Sequence, residues 1–466
     1  MPMKSYDYST YLSPFTWRYG SDEMRQIWSE IHKRQLWRKI WVALARAQAK
    51  ENLISQEELD DLIVHEKDID IDKAHEIEKE IKHDLMAEIT VYAQSAKIGG
   101  GKIHVGATSM DIEDNTDALR IQESLLLLKG KLLTLLKNLQ DKIDEYDSLV
   151  CMGYTHLQPA EPITLGYRFA MYAQDVIIDL ETLEFATTQI LGKGMKGAVG
   201  TSASYVQLVG AEKAQALEED VVKELGLKIA AISNQTGPRK VEHIISSTLS
   251  SIAQTIYNMA FDVRILQSPG FGEISEAFGA KQIGSSAMPF KRNPIKSEQM
   301  CSLARFVIHL ATVPGDNAAH MLLERTLDDS ANRRVVLPEL FLAVDDILGS
   351  AATLIANLNI NTAQIEKNLS IHGPFAATEV VMLEATKRGG NRQDLHEAIR
   401  ENSLKAYDSI QKTGVNPLLD LLEKDSRITK YIPTEELVTL LDPTHHVGLS
   451  TKRCKDLSQR IQSILV

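Results

Sequence analysis

The chain has 466 residues, of which 44% are hydrophobic and 24% charged, with a formal net charge of −12 at pH 7. Those proportions describe an ordinary globular protein of about two to four domains, and the acidic balance argues against general nucleic-acid binding, which needs a basic footprint to replace phosphate counterions. An anionic ligand would have to be met by local clusters of cations.

The opening stretch "MPMKSYDYSTYLSPFTWRYG" has no continuous apolar run. No later run approaches the roughly 20 uninterrupted apolar residues of a membrane span, so a soluble cytoplasmic protein without membrane contact is expected. Cys151, Cys301 and Cys454 are odd in number and widely spaced, which gives neither a disulfide framework nor a CxxC pair and fits reducing conditions.

Next, "EIEKEIKHDLMAEIT" is patterned as a helix carrying Lys82, His83 and Asp84, either a solvated polar face or part of a site. His75 and His83 lack a convincing third ligand and no HExxH occurs, so neither a metal nor another cofactor is expected. "IGGGKIH" has a Gly-Lys pair, but Ile103 stands where a phosphate-binding P-loop needs Ser or Thr. In "KIHVGATSMDIEDN", Thr108 and Ser109 fall where a helix begins. Hydroxyls beside free backbone N–H groups there make an anion site, or serve as a plain N-cap.

From about residue 115 to 148 the apolar residues recur at intervals of three and four, a long helix with one wide buried face. "CMGYTHLQPAEP" then reads as a loop, with His156 ahead of Pro159 and Pro162. A loop histidine facing a cleft is a natural proton donor, and a packed or solvated histidine is the plainer alternative. "GKGMKGAVGTSASY" and "SNQTGPRKV" are further loops, and "VEHIISSTLSSIAQTIYNMAFDVRILQS" is a second long helix.

"QIGSSAMPFKRNPIKSE", Gln282 to Glu298, sets a serine pair and a Lys-Arg pair between glycine and prolines. A buried turn has little use for tandem cations, whereas a mobile loop closing over an anionic substrate uses every residue type present. "LERTLDDSANRR" packs Arg325, Asp328, Asp329, Ser330, Arg333 and Arg334 together. If it is helical, Arg325 and Arg333 lie near one face with Ser330 between them. That arrangement suits phosphate or carboxylate binding, or an intrahelical salt-bridge network with the aspartates. A third long helix, "NRRVVLPELFLAVDDILGSAATLIANL", follows. Strand-like alternation is weak, so the expected class is all-α: helical domains at 1–107, 108–359 and 360–466, the middle one a bundle of long helices.

Taken together and in this order, these segments resemble one family. "IGSSAMPFKRNP" is similar to the GSSxMPxKxNP loop of the fumarase/aspartase superfamily. "KHDLMAE", "HVGATSMDIEDN", "YTHLQPAEP", "MKGAVGT" and "ERTLDDSANRR" resemble its adenylosuccinate-cleaving family, particularly the animal-like branch. The resemblance covers nearly the whole chain. It implies C–N bond cleavage by β-elimination, releasing fumarate from adenylosuccinate to leave AMP and from the succinylcarboxamide imidazole ribotide (SAICAR) to leave AICAR, both steps of purine nucleotide synthesis. It also implies an all-helical homotetramer with a shared central bundle and active sites built from three subunits.

Carried over by position, the resemblance makes Ser285 the base that removes the succinyl proton and His156 the acid that protonates the leaving nitrogen. Lys291 and Asn293 would stabilise the intermediate, and Glu298 would orient His156. Arg18, Tyr19, Lys82, His83, Asp84, Thr108, Ser109, Gln235, Arg325, Ser330 and Arg334 match its substrate-binding positions. The animal-like branch usually has arginine where this chain has Gln299, counted as one further contact. Another lyase of the superfamily, such as an argininosuccinate lyase, would lack the "RTLDDSANRR" and "TWRYG" matches. Intact Ser285, His156, Lys291 and Glu298 argue against a non-catalytic scaffold.

Overall fold

A computed structural model describes residues 9–279 and 281–466. Helices dominate, and the chain divides into two compact units. The first comprises the chain to Leu132, Ile178–Ile256 and Ser302–Gly349; the second comprises Leu133–Ile177, Tyr257–Cys301 and Ser350–Val466. Each boundary falls inside a helix: Ser109–Glu145, Leu165–Thr188, Lys240–Leu266, Ile295–Leu310 and Asp328–Ala356. The first of these has 37 residues, a rod about 55 Å long. Its Leu125, Leu128, Leu132, Leu135, Leu136, Leu139 and Ile143 are fully buried, and that three-and-four spacing is why the segment is a helix with one committed face.

In the first unit, Trp37, Trp41, Leu44, Leu62, Leu85, Tyr92, Tyr205 and Val221 share one core. Two buried arginines of the Glu30–Lys50 helix, Arg34 and Arg38, donate to Glu88 at 2.7 and 2.8 Å. A buried carboxylate left unpaired would cost several kcal/mol, so this double bridge fixes the Asp84–Ser95 helix and with it the start of that helix at His83. In the second unit, Val381, Ala385, Leu395, Leu418, Leu422, Ile428 and Leu437 pack the core of the C-terminal helices.

Two departures from the expected elements concern candidate residues. The 151–162 stretch is not a loop: Val150–Thr155 and Gln158–Thr164 form an antiparallel hairpin. Lys82, His83 and Asp84 do not ride along one helix either. The Ile71–Ile81 helix ends at Lys82, which turns left-handed with φ of 58°, and His83 caps the next helix by accepting from Met86 N.

Candidate functional site

The first unit holds all the sequence-derived substrate-binding positions except Gln299. Arg18 and Tyr19 follow a short 3-10 turn, Pro14–Thr16, and the chain then pivots at Gly20, whose φ is +81°. Gly20 N and Ser21 N donate to Asp346 and Asp345 at 3.0 and 2.6 Å, which pins the pivot. The Arg18 guanidinium is exposed and lies over the Trp17 and Tyr19 rings. His83 Nε2 lies 3.5 Å from Ser109 Oγ, so two separate motifs meet at adjoining helix starts. Thr108 N donates to Asp111 Oδ2 at 3.0 Å. Fully buried Asp111 also pairs with Lys193 and accepts from Lys196 N and Gly197 N, anchoring the 193–197 loop beside Thr108 and Ser109.

Arg325 precedes the Asp328–Ala356 helix instead of sharing a face with Arg333. Arg333 is buried and committed to Glu242 and Asp117, at 2.6 and 2.9 Å. Asp84, Ser330 and Arg334 line a cavity of about 140 Å³ together with Lys33, Trp37 and Glu113. Arg334 pairs with Asp84 at 2.8 Å. Burial first, and then the charge of Asp84, pushes the Glu113 carboxyl up to about 8. A folded-state value above the ordinary 4.5 means that the native chain keeps a proton the unfolded chain releases. The resulting stabilisation is complete below 4.5 and is lost as pH rises to about 8. Glu113→Gln, neutral at every pH, is therefore expected to melt several degrees above the parent at pH 9 and with it at pH 4.5, as thermal unfolding at both values would reveal.

His156 stands at the hairpin tip in the second unit. His156 and Leu157 both have positive φ, 54° and 60°, the pairing of a two-residue turn whose twist matches the strands. Leucine is costly there. Among the described residues every non-glycine position with positive φ except Asn52 lies in or beside a segment singled out from the sequence: Lys82, His104, His156, Leu157, Ser202 and Leu323. Strain of this kind persists where the surroundings impose it. At the tip the two-residue turn imposes it, and behind the hairpin fully buried Glu273 braces the first strand, accepting from Tyr154 OH at 2.7 Å, Arg168 at 3.1 Å and Asn368 at 2.9 Å. Arg168 also donates to Met152 O at 2.6 Å. The tip is thus presented by a rigid base while the His156 ring stays exposed.

The serine loop, also in the second unit, is anchored at both ends. Glu276 accepts from Ser297 N at 2.7 Å and Ser297 Oγ at 2.6 Å, capping the Ile295–Leu310 helix. Gln267 donates to Arg292 O at 3.0 Å and accepts from Glu276 N at 3.0 Å. Asn293 ties across the loop to Gly284 O at 2.9 Å. A Cβ on Gly284 would come within 2.0 Å of Lys291 O, so only glycine lets the strands of the loop approach. Ser285 Oγ accepts from Ala287 N at 3.3 Å and Met288 N at 3.1 Å. Two N–H donors aimed at one oxygen favour its anionic form. Lys291 is exposed six residues further on.

Glu298 is exposed in the first turn of its helix, and Gln299 follows it. Among the described residues no hydrogen bond or ion pair joins Glu298 to His156. Sequence reasoning did not single out Asp111, Glu273 or Glu276, and it named Asp329 only as a member of a salt-bridge network with the nearby arginines, a pairing seen here with Arg325 at 2.7 Å. Of the first three only Asp111 left a signal, the Thr-x-x-Asp spacing of a capping pattern at 108–111. Among the described residues no group of three or more His, Cys, Asp or Glu side chains converges to hold a metal, and no helix is long and apolar enough to cross a membrane.

A lyase family model matches residues 17–308. The fold is shared with a fumarate lyase from Mesorhizobium sp. BNC1, at a TM-score of 0.84 and 22% identity over 97% of this chain and 99% of that one. This places the chain among the lyases of the fumarase/aspartase superfamily. A model of the adenylosuccinate lyase C-terminus matches residues 374–457. An adenylosuccinate lyase from Schistosoma mansoni is 37% identical over 96% of this chain and 94% of its own length. One from Saccharomyces cerevisiae is 35% identical over 97% and 95% respectively. The chain belongs to the adenylosuccinate lyase family, and its class is that of C–N lyases.

Proposed function

We propose that this chain cleaves adenylosuccinate to AMP and fumarate, and SAICAR to AICAR and fumarate, in purine nucleotide synthesis. Ser285 Oγ, as the alkoxide, takes the proton from the succinyl carbon next to a carboxylate. The electron pair is held as a doubly charged aci-carboxylate near Lys291, then collapses to form the carbon–carbon double bond as the C–N bond breaks. His156 gives its proton to the departing nitrogen, because an amine anion is too basic to leave unaided. Proton exchange with solvent afterwards restores the serine anion and the histidine acid.

The observation that carries this reading is the pair of backbone N–H groups on Ser285 Oγ inside a loop closed by Gly284 and Asn293. A serine hydroxyl is a poor base in water. Oriented donors, a nearby cation and exclusion of water on closure all favour the alkoxide.

Arg18, Tyr19, Lys82, His83, Asp84, Thr108, Ser109, Gln235, Arg325, Ser330 and Arg334 hold the phosphate, ribose, base and succinyl carboxylates. This local supply of cations and N–H groups reconciles a chain of net charge −12 with a highly anionic substrate. The assembly is a homotetramer with sites shared between subunits, and the three buried free cysteines suit the cytoplasm. The test is ultraviolet absorbance with adenylosuccinate as substrate. Stoichiometric fumarate and AMP are expected, and no turnover at high enzyme concentration would remove the assignment.

Gln299 stands where the related branch carries a cation, so Gln299→Arg is expected to lower KM for one or both substrates by about 3–10-fold with little change in kcat. Steady-state kinetics on both substrates decides this, and unchanged constants would free position 299 from the site.

A further inference from the structure

Asp329 is 1% exposed and stands between two arginines. Its Oδ2 accepts from Arg239 Nε at 2.7 Å and its Oδ1 from Arg325 Nη1 at 2.7 Å. Burial opposes its ionisation, and Arg239 and Arg325 outweigh that opposition, holding the carboxyl below its usual value. Arg239 is itself locked to Asp114 at 3.0 Å and Glu242 at 3.3 Å. One side of Asp329 is therefore fixed to the interior of the first unit, and the other side holds Arg325, which precedes the helix.

A second tie runs nearby. Gln235 N donates to Glu324 O at 3.1 Å, joining the backbone of the segment before Arg239 to that of the residue before Arg325. A guanidinium offers five N–H donors. Asp329 engages one Arg325 nitrogen, and among the described residues Nε and Nη2 make no hydrogen bond, which leaves a fork for an anionic oxygen pair.

We propose that Asp329 is a positioning residue for substrate: it fixes the Arg325 fork and, through Arg239, sets it in register with Gln235. The inference rests on the reading that Arg325 binds substrate. Asp329 touches no reacting atom, so its effect falls on binding and not on the chemical step.

The test uses the full-length enzyme and adenylosuccinate, with Asp329→Asn and Asp329→Glu. Asparagine presents an N–H₂ group to one of the two arginines, and glutamate keeps the charge but shifts it by one methylene. Both variants are expected to raise KM by about 10-fold with kcat within about 2-fold of the parent, and to add nothing further to Arg325→Ala. Should Asp329→Asn fail to fold, Asp329→Glu, which leaves the buried charges balanced, carries the test alone. An unchanged KM, an effect additive with Arg325→Ala, or a fall in kcat that tracks lost thermal stability overturns the inference. If Arg325→Ala itself leaves KM unchanged, the substrate role of Arg325 falls and this inference with it. If Arg325→Ala raises KM and the Asp329 variants do not, only the inference falls.

Discussion

Ser285→Ala is expected to lower kcat by on the order of 10³–10⁴-fold for both substrates, with thermal stability unchanged. The side chain is partly exposed and its Oγ accepts only local backbone donors, Ala287 N and Met288 N, so its loss leaves no buried group unpaired. Everything the hydroxyl contributes then lies in the reaction. Removing it leaves the two N–H groups directed at water, and water so placed is a far weaker base than an alkoxide held in a closed loop. KM is expected to stay within a few-fold of the parent, because the proposed binding positions other than Gln299 lie in the first unit. Steady-state absorbance with adenylosuccinate and with SAICAR measures both constants, and a variant retaining a tenth or more of parental kcat would end the base assignment.

His156→Ala is expected to cost about 10²–10⁴-fold in kcat. The residue sits at a hairpin tip with φ of 54°, a conformation that histidine adopts more readily than alanine, so some local cost to stability is expected. Glycine removes the imidazole while accepting the backbone geometry, and His156→Gly separates the two effects: its kcat should be as low as that of His156→Ala with parental stability. Added imidazole should return part of the activity to the glycine variant. Equal turnover by the parent and His156→Gly would rule out the acid role.

The long helices were legible because a three-and-four spacing of leucines reports directly on burial, and the expected 115–148 element appears as Ser109–Glu145. The hairpin was not, since Pro159 and Pro162 in its second strand and Gly153 in its first are residues that weaken any strand assignment. It stands because Cys151 and Met152 are buried and Glu273, more than a hundred residues away, grips Tyr154 and Arg168. Lys82 is a similar case: "EIKHDL" contains neither glycine nor proline, and the break there is a left-handed lysine. Glu273 and Glu276, which brace the hairpin and the serine loop, look in sequence like any surface acid. Burial and a distant partner distinguish them, and neither is encoded locally. The serine loop, by contrast, was fully visible, because its glycine, serines, cations and prolines follow one another in a single short run.

The proposed substrate-binding positions other than Gln299 belong to the first unit and the proposed base and acid to the second, and among the described residues His156 and Glu298 of one chain are not joined. If each site draws its histidine and its serine loop from different copies of the chain, two inactive variants can repair one another. Ser285→Ala and His156→Ala, mixed in equal amounts, dissociated and reassembled, should return about a quarter of parental turnover of adenylosuccinate, the fraction of sites in which both contributing copies are intact at the position they supply. No activity above that of the separate variants, in assemblies proven to contain both, would contradict a shared site built on Ser285 and His156.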